Sequence, residues 1–170
     1  YVQAFASATP FTAIASHAPS PTLSPRLVAV GEGGIVARSI NGGVTWTTTT
    51  LAGGFLNVRG VDFGATGALD SDADVWIVGE SGSLFVAPGI GGNFGRVFGP
   101  TLEHFTAVRT GYLVGENGSA YTRLPILPNA PFVRENPPGA YHFAALAGNA
   151  GGLWLAGEHG QVHFRPNNAP

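Results

Sequence analysis

The sequence predicts an all-β protein, a β-propeller of four blades with four antiparallel strands in each blade. Two observations carry this prediction. The tetrapeptide Gly-Glu-x-Gly occurs four times, each time between two short, partly apolar runs, and no stretch has the sustained 3.6-residue periodicity of an amphipathic helix. Units that repeat at about 40 residues in this way are typical of propeller blades. The four copies occupy residues 31–34, 79–82, 115–118 and 157–160.

Each copy of the tetrapeptide predicts a β-hairpin with a tight turn. The run before a copy, such as residues 75–78, and the run after it, such as 83–86, have the composition of strands. Glycine supplies the positive φ that two-residue hairpin turns require. We therefore place each tetrapeptide between the second and third strands of one blade.

The first strand of each blade is predicted to begin at a phenylalanine, with apolar residues at its first and fourth positions. A fourth strand is predicted after three of the hairpins, at residues 45–50, 95–98 and 131–134. The four phenylalanines are Phe11, Phe55, Phe105 and Phe143.

The spacing of these phenylalanines predicts a ring that closes on itself. Successive spacings are 44, 50 and 38 residues, and residues 143–170 together with 1–10 supply another 38. We expect residues 1–7 to pair with 161–165, because closure hides the sheet edges. A piece of a larger ring, or two chains forming one eight-bladed ring, are the competing arrangements. The whole chain is then one domain, with blades at about 11–54, 55–104, 105–142 and 143–170 plus 1–10.

The composition narrows the classes of function. Charged residues make up only 11% of the 170-residue chain, the net charge is −2 and lysine is absent, which argues against a nucleic-acid partner. Cysteine is absent, so a thiolate zinc site is excluded. No apolar run is long enough to span a membrane as a helix. Because methionine is also absent, Tyr1 is not a translation start. Either a leader was removed or the sequence begins inside a longer chain. We expect a removed secretory leader and an extracytoplasmic location, periplasmic or secreted.

One segment carries a family resemblance. Residues 39–46, Ser-Ile-Asn-Gly-Gly-Val-Thr-Trp, resemble the Asp-box of BNR repeats, with Asn41 in place of the aspartate. Together with Val-Gly-Glu-Gly-Gly at 30–34, the segment resembles the repeat of photosystem II assembly/stability-factor-type propellers. The resemblance implies a non-catalytic scaffold that docks onto another protein as an accessory subunit of a membrane complex. The box itself is predicted to be structural, with its polar side chains holding the turn and Trp46 packing between blades.

Two arginines are candidates for partner binding. Arg59 and Arg109 each lie four residues after the phenylalanine of their blade, where the other blades have Ala15 and Ala147. We expect both to line the central channel and, with Asp62 and the loop at 64–74, to form the surface that binds a protein. The alternative is that each arginine pairs with a neighbouring acid, such as Asp62 or Glu103.

Two sets of carboxylates are candidates for cation binding. Asp70, Asp72 and Asp74 alternate as calcium ligands do, although the glycine and final glutamate of an EF-hand are missing and a solvated loop is the alternative. No other cofactor is expected, and no metal site is predicted from the histidines. The turn glutamates would form an acidic ring on one face of the propeller, or act only as solvated turn carboxylates. They are Glu32, Glu80, Glu116 and Glu158.

The function expected from the sequence is therefore non-catalytic protein binding. No Ser-His-Asp order, phosphate loop or Gly-x-Ser-x-Gly element occurs. A lectin-like propeller with sugar pockets between blades is one alternative, with Trp46, Trp76 and Trp154 as the available tryptophans. Trp76 and Trp154 occupy the same position on the second strand, and we expect both to lie in the core. A fragment of a glycosidase-type propeller is the other. Sialidases of that type need three arginines, a tyrosine–glutamate pair and an acid in one cleft.

Overall fold

The chain folds into four antiparallel sheets that follow one another in sequence. The structure is a computed structural model that describes residues 5–53, 56–64, 73–109, 111–123, 131–139, 141–149 and 151–166. The first sheet contains β1 (Phe11–His17), β2 (Arg26–Gly31), β3 (Ile35–Ser39) and β4 (Thr47–Thr50). The second contains β5 (Val58–Phe63), β6 (Val75–Gly79), β7 (Ser83–Ala87) and β8 (Gly95–Phe98). The third contains β9 (Phe105–Arg109), β10 (Tyr112–Gly115), β11 (Ala120–Thr122) and β12 (Val133–Glu135). The fourth contains β13 (Phe143–Asn149), β14 (Gly152–Gly157) and β15 (Val162–Pro166).

The predicted all-β class is confirmed, since every sheet pairs its strands in chain order and short 3-10 turns are the only helical elements in the described part of the chain. The second strands are the most apolar and the most buried, as in β6, where all five residues are buried. In the first three sheets these strands are largely buried on both faces and carry the core, whereas β14 is only partly buried and β4 is exposed along its length.

The four Gly-Glu-x-Gly segments form the predicted hairpin turns. The residue at the third position has a φ of 62° at Gly33, 52° at Ser81, 55° at Asn117 and 60° at His159. The glycine that follows also has a positive φ in all four copies. Two successive residues with positive φ define a type I′ turn, whose twist matches that of the flanking strands. The last glycine therefore recurs in every copy because its backbone has a positive φ, which glycine adopts without strain.

The first glycine of the tetrapeptide is required for a different reason, namely close approach of two backbone segments. A Cβ atom at Gly115 would lie 2.1 Å from the carbonyl oxygen of His104, and one at Gly157 would lie 2.4 Å from that of His142. The same clash would arise at Gly31 and at Gly79. Any side chain at this position would push the hairpin away from the start of the first strand.

The strand register defines which residues of the four sheets are equivalent. The first strand begins opposite the first glycine of the tetrapeptide and has a β-bulge at its second residue in every sheet. By this criterion Phe11, Phe105 and Phe143 are equivalent, and their counterpart in the second sheet is Val58. The expectation that Phe55 begins this strand is therefore wrong. Phe55 itself lies outside the described residues, and the register places it before the strand.

The sheets pack in a row through their first strands. β1 contacts β5, β5 contacts β9 and β9 contacts β13, whereas no contact of comparable extent joins β13 to β1 in the described ranges. Three apolar clusters fill the boundaries between successive sheets. Side chains at the bulge reinforce these boundaries, since the Thr12 hydroxyl donates to the carbonyl of Val58 at 2.6 Å and that of Thr106 donates to Phe143.

The N-terminal segment lies against the first sheet. Phe5 stacks on Trp46, with ring centroids 5.6 Å apart, and also contacts Phe11. Residues 5–7 belong to no strand, and residues 1–4, the rest of the predicted closing strand, lie outside the described residues. The expected pairing of 5–7 with the last sheet is thus corrected, because aromatic packing holds Phe5 beside Trp46. The last sheet has three strands in the described part of the chain.

Residues 39–46 form the polar turn predicted from the sequence. Asn41 Oδ1 accepts a hydrogen bond from the Thr45 backbone N–H at 2.9 Å, and Asn41 Nδ2 donates to Thr45 Oγ1 at 2.8 Å. Ser39 Oγ accepts from the Gly43 N–H at 2.9 Å, and Trp46 Nε1 donates to the Gly43 carbonyl at 3.0 Å. These contacts close the turn between β3 and β4 locally. Trp46 lies on the outer side of the first sheet, against Phe5, and not at a boundary between two described sheets.

Replacing Gly115 with alanine is predicted to destabilise the fold by about 1–3 kcal/mol, because the new methyl group overlaps the His104 carbonyl. Urea unfolding measures this change in the free energy of unfolding. Gly91→Ala is the matched control, since a Cβ there meets nothing within 4 Å. Equal midpoints for the two variants would contradict the proposed reason for this glycine.

Candidate functional site

The turn glutamates lie at one end of the sheets and link each hairpin to its first strand. In each sheet the glutamate backbone N–H donates to the carbonyl of the residue that precedes the first strand, at 3.0–3.1 Å. The acceptor carbonyls belong to Pro10, Asn57, His104 and His142. We call the surface formed by Glu32, Glu80, Glu116 and Glu158 the glutamate edge. These backbone contacts, which any residue other than proline could make, account for the first glycine of the tetrapeptide but not for the glutamate side chain.

Arg59 neutralises the centre of the glutamate edge. Its Nη2 lies 2.9 Å from Glu80 Oε1 and its Nη1 lies 3.2 Å from Glu116 Oε1, so one guanidinium joins the second and third sheets. Asn57 Nδ2 donates to the other Glu80 oxygen at 3.2 Å. The hydrogen bond from Arg59, followed by that from Asn57, holds the pKa of Glu80 below its ordinary value. At the end of the row, Glu158 lies 4.0 Å from His142 Nε2. Two of the four glutamates, Glu80 and Glu116, therefore share one ion-pair network centred on Arg59.

Arg109 and Asp62 lie away from the glutamate edge. Arg109 Nη2 donates to the carbonyl of Gly148 at 3.0 Å, which ties β9 to β13. Asp62 is half-buried on β5, opposite Trp76. Each residue thus belongs to the packing between or within sheets.

The expectation that Arg59 and Arg109 are equivalent is wrong. Arg59 is the second residue of its strand and corresponds to Thr12 and Thr106, whereas Arg109 is the fifth and corresponds to Ala15 and Asp62. Counting positions from Phe55 instead of Val58 shifts the alignment of the second sheet with the other sheets by three residues. The two arginines consequently lie at different ends of their strands and bind different partners.

The candidate calcium ligands are only partly described. Asp70 and Asp72 lie outside the described residues. Asp74 precedes β6, and burial raises the pKa of its carboxyl, while the Gly89 N–H and the charge of Arg123 act in the opposite direction. No group of three or more metal-ligating side chains occurs among the residues that the structure describes.

The outer face of the last sheet exposes aromatic side chains at positions that are buried elsewhere. Trp154 pairs with the fifth residue of its first strand, as do Trp76 and Tyr112 in theirs. Trp76 is 9% exposed and Tyr112 4%, but Trp154 is 44% exposed. Val162 and Phe164 on β15 are exposed beside it, and the Trp154 and Phe164 rings lie 4.4 Å apart. We call Trp154, Val162 and Phe164 the Trp154 face.

The outer face of the first sheet carries a complementary feature, an apolar cavity. Its volume is about 410 Å³, and the strand residues that line it include Phe11, Ile14 and Ala29. The side chains of Phe5 and Trp46 also line the cavity. Ile14 is 64% exposed, although its equivalents Val61 and Val108 are buried. We call the surface formed by these five lining residues the Ile14 face.

A polar cluster lies between the third and fourth sheets. Glu135 Oε2 accepts a hydrogen bond from the Tyr112 hydroxyl and another from Arg165 Nε, the latter at 2.8 Å. These residues line a cavity of about 310 Å³ together with Pro137 and His163. The cluster contains the tyrosine–glutamate pair of a sialidase, but its cavity is lined by one arginine rather than three and the tyrosine is buried. We interpret the cluster as a polar link between the sheets.

Sequence reasoning missed both the two outer faces and the Glu135 cluster. Trp154 was expected in the core because its strand has the same pattern as that of Trp76. It is exposed because no further sheet covers this face in the described part of the chain. The three charged and hydroxyl groups of the cluster are far apart in the chain and share no motif, so no local signal could have found them.

Comparison with known proteins adds no family to this description. No protein-family model matches the chain, and no curated protein matches it. No helix in the described residues is long and apolar enough to cross a membrane.

Removing the guanidinium in Arg59→Ala is predicted to raise the pKa of Glu80 towards its ordinary value, since Arg59 is the main cause of the lowered pKa. A carboxyl with a lowered folded-state pKa adds stability above its unfolded-state pKa, and this contribution is lost as the pH falls through the folded-state pKa. The variant should therefore lose less stability on acidification than the parent. NMR titration of the glutamate carboxyl carbons and urea unfolding between pH 3 and pH 7 measure both effects. Arg96→Ala, on the exposed side of β8, is the control. An unchanged Glu80 pKa in Arg59→Ala would contradict the assignment of Arg59 as the main cause of the lowered pKa.

Proposed function

We propose that the chain is a non-catalytic, protein-binding module of the β-propeller type, with the four sheets as successive blades. Support for the architecture comes from four equivalent antiparallel sheets that pack in a row through their first strands. The repeated type I′ hairpins support it as well, since propellers are built by radial repetition of such sheets.

The exposure of Trp154 is the observation that carries the proposed function. A large aromatic residue in an otherwise buried register position, next to a second exposed aromatic residue, forms an apolar patch at the end of the row. Tryptophan is enriched among the residues that dominate binding energy at protein interfaces. Contiguous apolar surface on a soluble domain marks interaction sites.

The surfaces favoured by sequence alone support partner binding less well. Arg59 is bound to Glu80 and Glu116, and Arg109 to a backbone carbonyl of the next sheet. A partner would have to break these contacts before it could bind either arginine. The Trp154 face requires no such rearrangement.

The resemblance to assembly-factor propellers gives this binding a biological setting. In that setting the chain is an accessory subunit that docks onto a membrane-associated complex on the extracytoplasmic side. The docking surface is apolar, which suits a lasting subunit contact better than a transient electrostatic one.

Carbohydrate binding is the second candidate, and one observation favours it. The Trp154 and Phe164 rings form an exposed aromatic pair, and sugars stack on aromatic surfaces of this kind. Against it, the residues beside the pair on β15 include Val162 and Pro166 rather than a set of hydroxyl-binding side chains. We therefore rank protein binding first.

Partner capture tests the proposed function. Full-length chain used as bait in a native membrane extract is predicted to retain a stoichiometric partner. Trp154→Ala is predicted to weaken that binding about thirtyfold, as for an interface hot spot worth about 2 kcal/mol. Leu102→Ala, which changes an exposed residue beside the hairpin turn of the second sheet, should bind like the parent. Recovery of the same partner by the Trp154 variant would overturn the assignment of this face.

A glycan array separates the second candidate from the first. We expect no binding at high protein concentration. Glycan binding that is lost in Trp154→Ala and kept in Trp46→Ala would replace protein binding with carbohydrate binding as the function of this face.

A further inference from the structure

We propose that the Trp154 face binds the Ile14 face of a second copy of this chain, head to tail. This inference rests on the proposed function, because it names a second copy, rather than a subunit of the membrane-associated complex, as the protein that occupies the Trp154 face. The two faces are the outer sides of the last and the first sheet, and both expose large apolar side chains.

The contacts inside the chain show how such a joint is built. At the boundary between the second and third sheets, Trp76 packs in one cluster with Phe105, Val108 and Leu113. At the next boundary, Tyr112 packs with Phe143 and residues equivalent to these. An aromatic side chain of one sheet thus inserts against a fixed set of apolar residues on the following sheet.

The Ile14 face carries that receiving set, with Phe5 of the N-terminal segment beside it and no aromatic side chain from a neighbouring sheet in the described residues. By strand register, Phe11, Ile14 and Ala29 correspond to Phe105, Val108 and Leu113. Alanine in place of leucine leaves room, and the cavity of about 410 Å³ lies at this position.

The Trp154 face carries the inserting aromatic without a receiving sheet. Trp154 corresponds to Trp76 by register, and Val162 corresponds to the buried Leu84. Neither face includes a charged residue among the side chains that define it. Joining the faces would therefore bury apolar surface without burying an unpaired charge.

A second copy is favoured over the chain's own first sheet as the occupant. In the described residues, β13 and β1 lie at opposite ends of the row and share no extensive contact. A contact between two different faces is heterologous, and such contacts repeat until they close into a ring or extend as a filament. Two copies would supply eight blades, which is within the range of four to eight in propellers. The proposed assembly is therefore a closed ring of two chains.

Sedimentation equilibrium of the full chain at 1–100 µM tests the association. We expect the parent to be a dimer. Trp154→Ala and Ile14→Arg are each expected to raise the dimer dissociation constant at least about thirtyfold. Val162→Arg changes a residue that is 64% exposed and serves as a second variant of the Trp154 face. Leu102→Arg is the control and should remain dimeric. Circular dichroism and thermal unfolding establish that each variant is folded.

Mixing the variants tests whether the two faces bind each other. In a mixture of Trp154→Ala and Ile14→Arg, the first variant offers an intact Ile14 face and the second an intact Trp154 face. One joint per pair is then complete, so the mixture should form heterodimers at concentrations where either variant alone is monomeric. If each face instead bound its own copy, mixing would restore nothing, and that result would overturn the proposal.

A monomeric parent at 100 µM would also overturn it, and so would a dimer that is insensitive to all three face variants. Failure of the inference is distinguishable from failure of the proposed function. A monomeric parent that captures a different protein, with capture lost in Trp154→Ala, keeps the function and excludes the second copy.

Discussion

The fold depends on one repeated backbone contact, the hydrogen bond from the turn glutamate to the carbonyl before the first strand. This bond draws the hairpin of the second and third strands over the start of the first strand, at 3.0–3.1 Å in every sheet. The approach is so close that only glycine fits at the preceding position. The same contact fixes the bulge and therefore the register, which decides the face on which every later side chain lies.

A fixed register makes the boundaries between sheets alike although their residues differ. At the bulge, Thr12 and Thr106 donate to a carbonyl of the following sheet, and Arg59 reaches a glutamate of the following sheet instead. The last sheet has Ala144 at this position, which offers no such bond. The absence of a polar link there leaves apolar packing as the interaction available to whatever covers that sheet.

The distribution of paired and unpaired groups separates structural from binding surfaces. Arg59 pairs with Glu80 and Glu116 at the glutamate edge and Arg165 pairs with Glu135 in the cluster, and partly exposed ion pairs of this kind contribute little net stability. The apolar side chains at the two ends of the row are covered by no neighbouring sheet in the described structure. Burial of apolar surface is favourable by roughly 25 cal/mol per Å². Burying the two outer faces against another surface would therefore give the largest favourable change in free energy.

The all-β class, the four hairpins and the polar turn around Asn41 could all be predicted from the sequence, because each depends on local chemistry. That chemistry is the positive φ at glycine, the alternation of apolar residues and short-range hydrogen bonds. The sequence pattern led to a wrong alignment of the second sheet with the other three, since Phe55 matches the local pattern. Only the pairing with β6 identifies Val58 as the first residue of β5. The sequence pattern also placed Arg59 and Arg109 together and Trp154 in the core. Those assignments depend on which segments meet across the sheets. Tertiary structure alone decides that, because burial at a repeated position requires a neighbouring sheet that the repeat pattern does not encode.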